Sequence, residues 1–117
     1  MTDLLKKKCI PCEKKGMKPF DKAEAEDYLA QTNGWTLAEE GHPQILKIQK
    51  EYKFQDFIGA VNFINLIADI AEEEGHHPDI FLHDYNKIVV TLSTHAIGGL
   101  SENDFILAAK IDAHRVK

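Results

Sequence analysis

Residues 56–95, DFIGAVNFINLIADIAEEEGHHPDIFLHDYNKIVVTLSTH, decide the fold. Asp56 is a good N-cap, and Phe57 to Glu74 then keeps a helical period without a break. At 100° per residue the polar positions Asn62, Asn65, Asp69, Glu72 and Glu73 fall on one narrow side. Apolar residues fill the rest, an arc much wider than the ~100° stripe of a single-faced surface helix. Such a helix needs two neighbours, a sheet and a second helix, within the chain or across a dimer. Gly75 closes the helix as a C-cap, and Pro78 forces His77 into an extended conformation. Ile80–Tyr85 and Lys87–His95 then read as two strands around a tight turn near Tyr85-Asn86. Ile88-Val89-Val90-Thr91-Leu92 has the strongest strand propensity in the chain.

Working outward, Phe20–Thr32 reads as a helix capped by Asp21, with Glu24 three residues on completing a capping box, and Asn33-Gly34 ends it. Trp35-Thr36-Leu37 is a short strand, and Ile45–Phe54 is a second one after a polar turn. Downstream, Gly98-Gly99 breaks the last strand, and Ser101-Glu102-Asn103-Asp104 opens a final helix running to about Arg115. Residues 1–19 carry Pro11, Gly16 and Pro19 without any period and read as an irregular lead-in to a single domain over residues 20–117. Short links between paired strands favour antiparallel pairing. The expected fold is therefore α+β, a four-stranded antiparallel sheet with three helices packed on one face.

The 117 residues suit one domain, and shares of 44% hydrophobic and 28% charged residues are those of an ordinary globular protein. A net charge of -5 argues against a nucleic-acid surface, which carries a basic excess. The basic run Lys6-Lys7-Lys8 reads as a solvated tail. Cys9 and Cys12 form one Cys-x-x-Cys, but a zinc site needs two further ligands and no second pair exists. Reduced thiols in a cytosolic protein are the expectation. No apolar run reaches the roughly 18 residues of a membrane span, and no apolar stretch precedes the N-terminal lysines, so a cytoplasmic location follows.

Three features carry possible chemistry. Glu72-Glu73-Glu74 places negative charge at a helix C-terminus against the dipole, a cost of roughly 0.3–1 kcal/mol each. A local rule broken in this way points weakly to function. Gly75-His76-His77-Pro78 puts two imidazoles on a helix-to-strand corner. Ser93-Thr94-His95 ends the strongest strand, a place where a rigid scaffold commonly presents functional groups. The hairpin between them can bring His76, His77 and His95 together, with Glu72 beside them. Three histidines could bind zinc, but adjacent ligands such as His76 and His77 are awkward. A metal-free acid–base site fits as well, because imidazoles titrate near neutrality and can both give and take protons. Asp104, at the third position of the capping box, reads foremost as a cap. His42, His83 and His114 stand outside the cluster.

The combination of Glu72, Gly75-His76-His77-Pro78, Tyr85-Asn86-Lys87, Thr91-Leu92-Ser93-Thr94-His95 and Gly99-Leu100-Ser101 with Asp104 resembles the pterin-4a-carbinolamine dehydratases. Gly34-Trp35 and the stretch from Phe54 to Phe57 are also similar. The resemblance covers about residues 20–112, and the Cys9-x-x-Cys12 lead-in looks like that of the longer bacterial-type members. It implies the same α+β fold and assembly into dimers or tetramers. The implied reaction is dehydration of 4a-hydroxytetrahydrobiopterin to quinonoid dihydropterin, which recycles the cofactor of aromatic amino-acid hydroxylases such as phenylalanine hydroxylase. By matching position, His76, His77 and His95 would be catalytic, with the pterin as substrate and neither metal nor cofactor required. Glu72, Gly75, Ser93, Thr94, Ala96, Trp35 and Asp104 would bind the pterin. Animal relatives also serve as dimerisation partners of a transcription factor, which makes a non-catalytic binding module the alternative. One departure is Asp84, which looks inserted into the hairpin; at the turn it should leave the histidines in register.

Overall fold

The structure, a computed structural model, describes residues 4–9, 18–41 and 45–113. Helix α1 (Lys22–Leu29) leads into strands β1 (Thr36–Glu40) and β2 (Ile45–Lys53). Helix α2 (Phe57–Glu74), strands β3 (Asp79–His83) and β4 (Lys87–Leu92), and helix α3 (Glu102–Ala113) follow. Two single 3-10 turns, Leu4–Lys6 and His95–Ile97, complete the regular structure among the described residues. The expected α+β architecture is present: one antiparallel sheet of four strands in the order β1-β2-β4-β3, with three helices.

The expected caps are formed. Asp21 accepts from the Glu24 N–H at 2.8 Å, and Glu24 accepts from the Asp21 N–H at 3.0 Å, closing the capping box. Asp56 accepts from the Gly59 N–H at 2.8 Å and starts α2 at Phe57. Gly75 ends α2 in the left-handed region at φ 67°, and no atom lies within 4 Å of where its Cβ would stand. Conformation alone demands glycine there.

Strand alternation sends Ile48 and Tyr52 of β2 and Ile88, Val90 and Leu92 of β4 to the covered face, all buried. Helix α2 lays Ala60, Phe63, Ile67, Ile70 and Ala71 against them. Helix α3 is the most enclosed element, buried continuously from Asn103 to Ala108. The wide apolar arc of α2 is only partly covered within one chain: Phe57 and Ile58 remain 52% and 63% exposed.

The described part of the lead-in is anchored where a solvated tail was expected. Leu4 is buried in the core, Lys7 bonds Glu102 of α3 at 2.7 Å, and Tyr28 shares that carboxylate at 3.0 Å. Cys12, His42 and His114 lie outside the described residues.

The hairpin register sets the site. Asp79 pairs Thr91 and His83 pairs Lys87. Extending that ladder past Asp79 sets His77 level with Ser93 and His76 level with Thr94. Asp84 lies in the turn, where it and Tyr85 take positive φ of 48° and 56°, and the buried Asn86 ties the turn to the Phe54 carbonyl.

Candidate active site

His76 leaves α2 one residue beyond Gly75 and points inward, 5% exposed. Its Nε2 lies 2.6 Å from Oδ1 of Asp104, which is wholly buried. A carboxylate has no proton to give, so Nε2 carries the hydrogen and donates it. The other oxygen, Oδ2, accepts from Thr94 Oγ1 at 2.8 Å and from the Ser101 N–H at 3.0 Å. The Thr94 hydroxyl spends its hydrogen on Asp104, so the Ser101 hydroxyl donates to Thr94 across 2.9 Å. One buried carboxylate thus ties the His76 corner, the residue preceding His95 and the first turn of α3.

Asp104 therefore fills two roles. It is the cap that the Ser101-x-x-Asp104 spacing predicts, and its negative charge suits the N-terminal end of a helix. It is also the partner of His76, a contact 28 residues apart in sequence that no local pattern contains.

His77 turns the opposite way, as neighbours in an extended segment do. Its side chain is 62% exposed, with Nε2 2.6 Å from Oε2 of Glu72, one turn back on α2. His95 is exposed on the 3-10 turn that follows Thr94. That turn is held from both sides. Thr94 and Gly99 bond through N–H to carbonyl at 2.7 and 3.4 Å. A side chain on Gly99 would meet Pro19 Cβ at 2.8 Å, and the neighbouring Phe20 N–H bonds the Leu100 carbonyl at 2.8 Å. Ser93 and Thr94 are buried beside this turn, and Ala96 is exposed on it.

One expected participant separates from the cluster, and His83 stays outside it. Trp35 is buried and donates its indole N–H to Asp112 Oδ2 at 2.9 Å; Asp112 Oδ1 accepts from the Tyr52 hydroxyl at 2.6 Å and the Lys50 ammonium at 3.0 Å. Asp112 is about 12 Å further along α3 than Asp104 at 1.5 Å per residue. Trp35 therefore packs at the far end of that helix. His83 stands on the hairpin, Nδ1 3.0 Å from Asp84 and Nε2 3.3 Å from Glu51, stacked on Phe81.

Of the three glutamates at the end of α2, two have partners: Glu72 holds His77, and Glu74 bonds Lys110 at 2.5 Å and the Cys9 N–H at 3.0 Å. Cavities of about 400 Å³, bordered by Phe54, Gly59, Phe63 and Leu66, and about 360 Å³, bordered by Leu5, Ile70 and Lys110, lie elsewhere; the histidines line neither. Among the described residues no cluster of three or more His, Cys, Asp or Glu is gathered as a metal site, and no helix is long and apolar enough to cross a membrane.

Burial, then the adjacent Glu74 carboxylate, push the Cys9 thiol up to about 12 from its ordinary 9.0. Because the folded value is raised, the protonated thiol's contribution to stability is complete below about pH 9 and is lost as pH climbs toward 12. The thiolate is the reactive form. Iodoacetamide at pH 8.5 is therefore expected to label Cys9 at least about tenfold more slowly in the native protein than in denaturant, read by peptide mapping. Equal rates would mean that Cys9 is not held against α3.

The fold is an α+β domain in which one buried carboxylate holds a histidine at a helix-to-strand corner and the threonine that precedes a second, exposed histidine on a strand-end turn. The chain belongs to the pterin 4 alpha carbinolamine dehydratase family, whose model matches residues 18–114. It is 43% identical over 117 residues to the mitochondrial pterin-4-alpha-carbinolamine dehydratase 2 of Arabidopsis thaliana, covering 100% of this chain but 62% of that one. A relative from Halorhodospira halophila is 44% identical over 110 residues, which cover 94% of this chain and 95% of that one. Among solved structures, a transcriptional coactivator/pterin dehydratase from Brucella melitensis superposes with a TM-score of 0.73 at 31% identity, over 85% of this chain and 100% of that one.

Proposed function

We propose that this protein dehydrates a 4a-hydroxytetrahydropterin by histidine acid–base catalysis, with the pterin as substrate and no metal or other cofactor. The observation that carries the proposal is the Asp104 carboxylate, which accepts from His76 Nε2 and from Thr94 next to His95. A buried carboxylate behind an imidazole fixes the ring's orientation and tautomer, the arrangement an acid–base group needs.

The reaction needs two proton movements. The C4a hydroxyl leaves as water once protonated, its C–O bond breaking as the N5 lone pair forms the C4a–N5 double bond. N5 then loses its proton, so one water departs and the quinonoid dihydropterin remains. His76 and His95 exchange these protons, one as donor and the other as acceptor. His77, at the exposed rim and oriented by Glu72, aligns the ring. The backbones of Gly75 and Ala96, with Ser93 and Thr94, border the pterin. In a cell that contains an aromatic amino-acid hydroxylase, this step returns its spent cofactor for reduction in the cytoplasm.

The test follows carbinolamine loss in a stopped assay with purified protein. Acceleration over buffer is expected, unchanged after dialysis against a chelator. No acceleration would remove the enzymatic reading. Activity lost on chelation and restored by zinc would replace the metal-free mechanism.

The exposed Phe57 and Ile58 favour a second, compatible property, self-association through α2 into dimers or tetramers. Sedimentation should then give a mass at least twice that of one chain. A binding module of the coactivator kind, as in the name of the Brucella relative, would retain that association and show no turnover.

A further inference from the structure

Glu74, Lys110 and Cys9 are enclosed groups that the dehydration chemistry leaves unused. Glu74 is the last residue of α2, and only Gly75 separates it from His76. Its side chain is 3% exposed and Lys110's is 14% exposed, and they meet at 2.5 Å. The second Glu74 oxygen accepts the Cys9 N–H at 3.0 Å, while the Cys9 thiol reaches the Asn103 carbonyl, beside Asp104, at 3.6 Å. The described lead-in thus bridges the last turn of α2 and the first turn of α3, with Leu4 buried and Lys7 on Glu102 at its other end.

Enclosing an ion pair is a poor way to gain stability, because desolvation offsets the attraction and apolar residues of similar volume do as well or better. What a paired carboxylate gives is one defined geometry. At the Gly75 corner the Gly75 and His76 N–H groups bond the Ala71 carbonyl at 2.9 and 3.2 Å, and no side chain stands at the glycine itself, so Glu74 is the adjoining side-chain anchor. Burial pushes the Glu74 carboxyl up, but the Lys110 hydrogen bond, the Cys9 N–H and the Lys110 charge outweigh it and hold it below the ordinary 4.5, so Glu74 stays a carboxylate at neutral pH.

We propose that Glu74, clamped by Lys110 and the Cys9 backbone N–H, is a positioning residue that fixes the Gly75 corner and so sets His76 against Asp104. The proposal rests on the reading of His76 as an acid–base group. It makes the lead-in part of the site's support.

The test replaces the pair by apolar residues of similar volume in the full-length chain, Glu74→Met with Lys110→Met, and compares melting temperature, kcat, KM and the NMR titration of the His76 ring. A positioning role predicts melting within a few degrees of the parent, kcat lower by about tenfold at nearly unchanged KM, and a displaced His76 titration with His83 unmoved. A double variant with the parent's kcat and His76 titration overturns the proposal, as does equal displacement of His76 and His83, which would signal general loosening. If the double variant does not fold, Glu74→Gln, which keeps an acceptor for the Cys9 N–H, is read by the same criteria. The NMR titration needs no turnover, so it decides the coupling even if the parent protein fails to dehydrate the pterin.

Discussion

Replacing either His76 or His95 with alanine is expected to slow carbinolamine dehydration by about 100-fold or more, the usual scale for a positioned acid or base. The two losses should look alike in kcat/KM while differing in origin. His76 is buried against Asp104, so its loss also leaves a buried carboxylate oxygen without its donor. His95 is exposed on a turn held by the Thr94–Gly99 pairing, so its loss removes a side chain and little else. Melting curves should therefore separate them, with His95→Ala close to the parent and His76→Ala lower. His83→Ala is the control. That ring sits between Glu51 and Asp84 on the hairpin and should leave kcat within about twofold of the parent. A loss at His83 comparable to that at His95 would put the chemistry on a different strand and undo the assignment.

What the sequence made legible divides along the range of the interactions. Helix α2 runs from Phe57 to Glu74 as its period predicts, because both ends are set locally, by the Asp56 cap and the left-handed Gly75. The capping box of α1 is equally local, although that helix is shorter than the Phe20–Thr32 reading. Composition extends strand β4 to His95, but the strand pairs only to Leu92. Thr94 turns its backbone to Gly99, and residues 95–97 coil, a choice made by glycines further along the chain.

The histidines stood out as residues but their environments did not. His76 and His77 are neighbours in sequence, yet one is buried on a carboxylate from α3 and the other is exposed on a carboxylate of its own helix. Trp35 goes to Asp112, 77 positions away, for a tertiary reason: a buried indole N–H needs an acceptor. The three glutamates that oppose the helix dipole make sense once Lys110 and His77 stand beside two of them. No spacing rule connects residues that far apart, so these contacts became visible only with the fold.

Asp104 is where fold and chemistry meet most tightly, and its replacement should have the largest effect on stability. Its two oxygens accept from three donors, the His76 ring, the Thr94 hydroxyl and the Ser101 backbone, and the side chain is wholly buried. Asp104→Ala removes the acceptor that these three donors share, in a place water does not reach. Each unsatisfied buried donor costs about 1–3 kcal/mol, so a loss of about 3–5 kcal/mol is expected after partial relaxation. Against a total stability of roughly 5–15 kcal/mol, that lowers the melting temperature by about 10 °C or more. Asp104→Asn keeps the shape and one acceptor oxygen, but its amide presents N–H toward a group that already donates. It should lose about half as much stability while still losing most of its activity, because an amide turned to His76 no longer offers the ring a charged acceptor that fixes its orientation. Thermal melts and kcat measured on both variants check this. An Asp104→Asn protein with full turnover would show that His76 works without its carboxylate, and that Asp104 serves the helix cap alone.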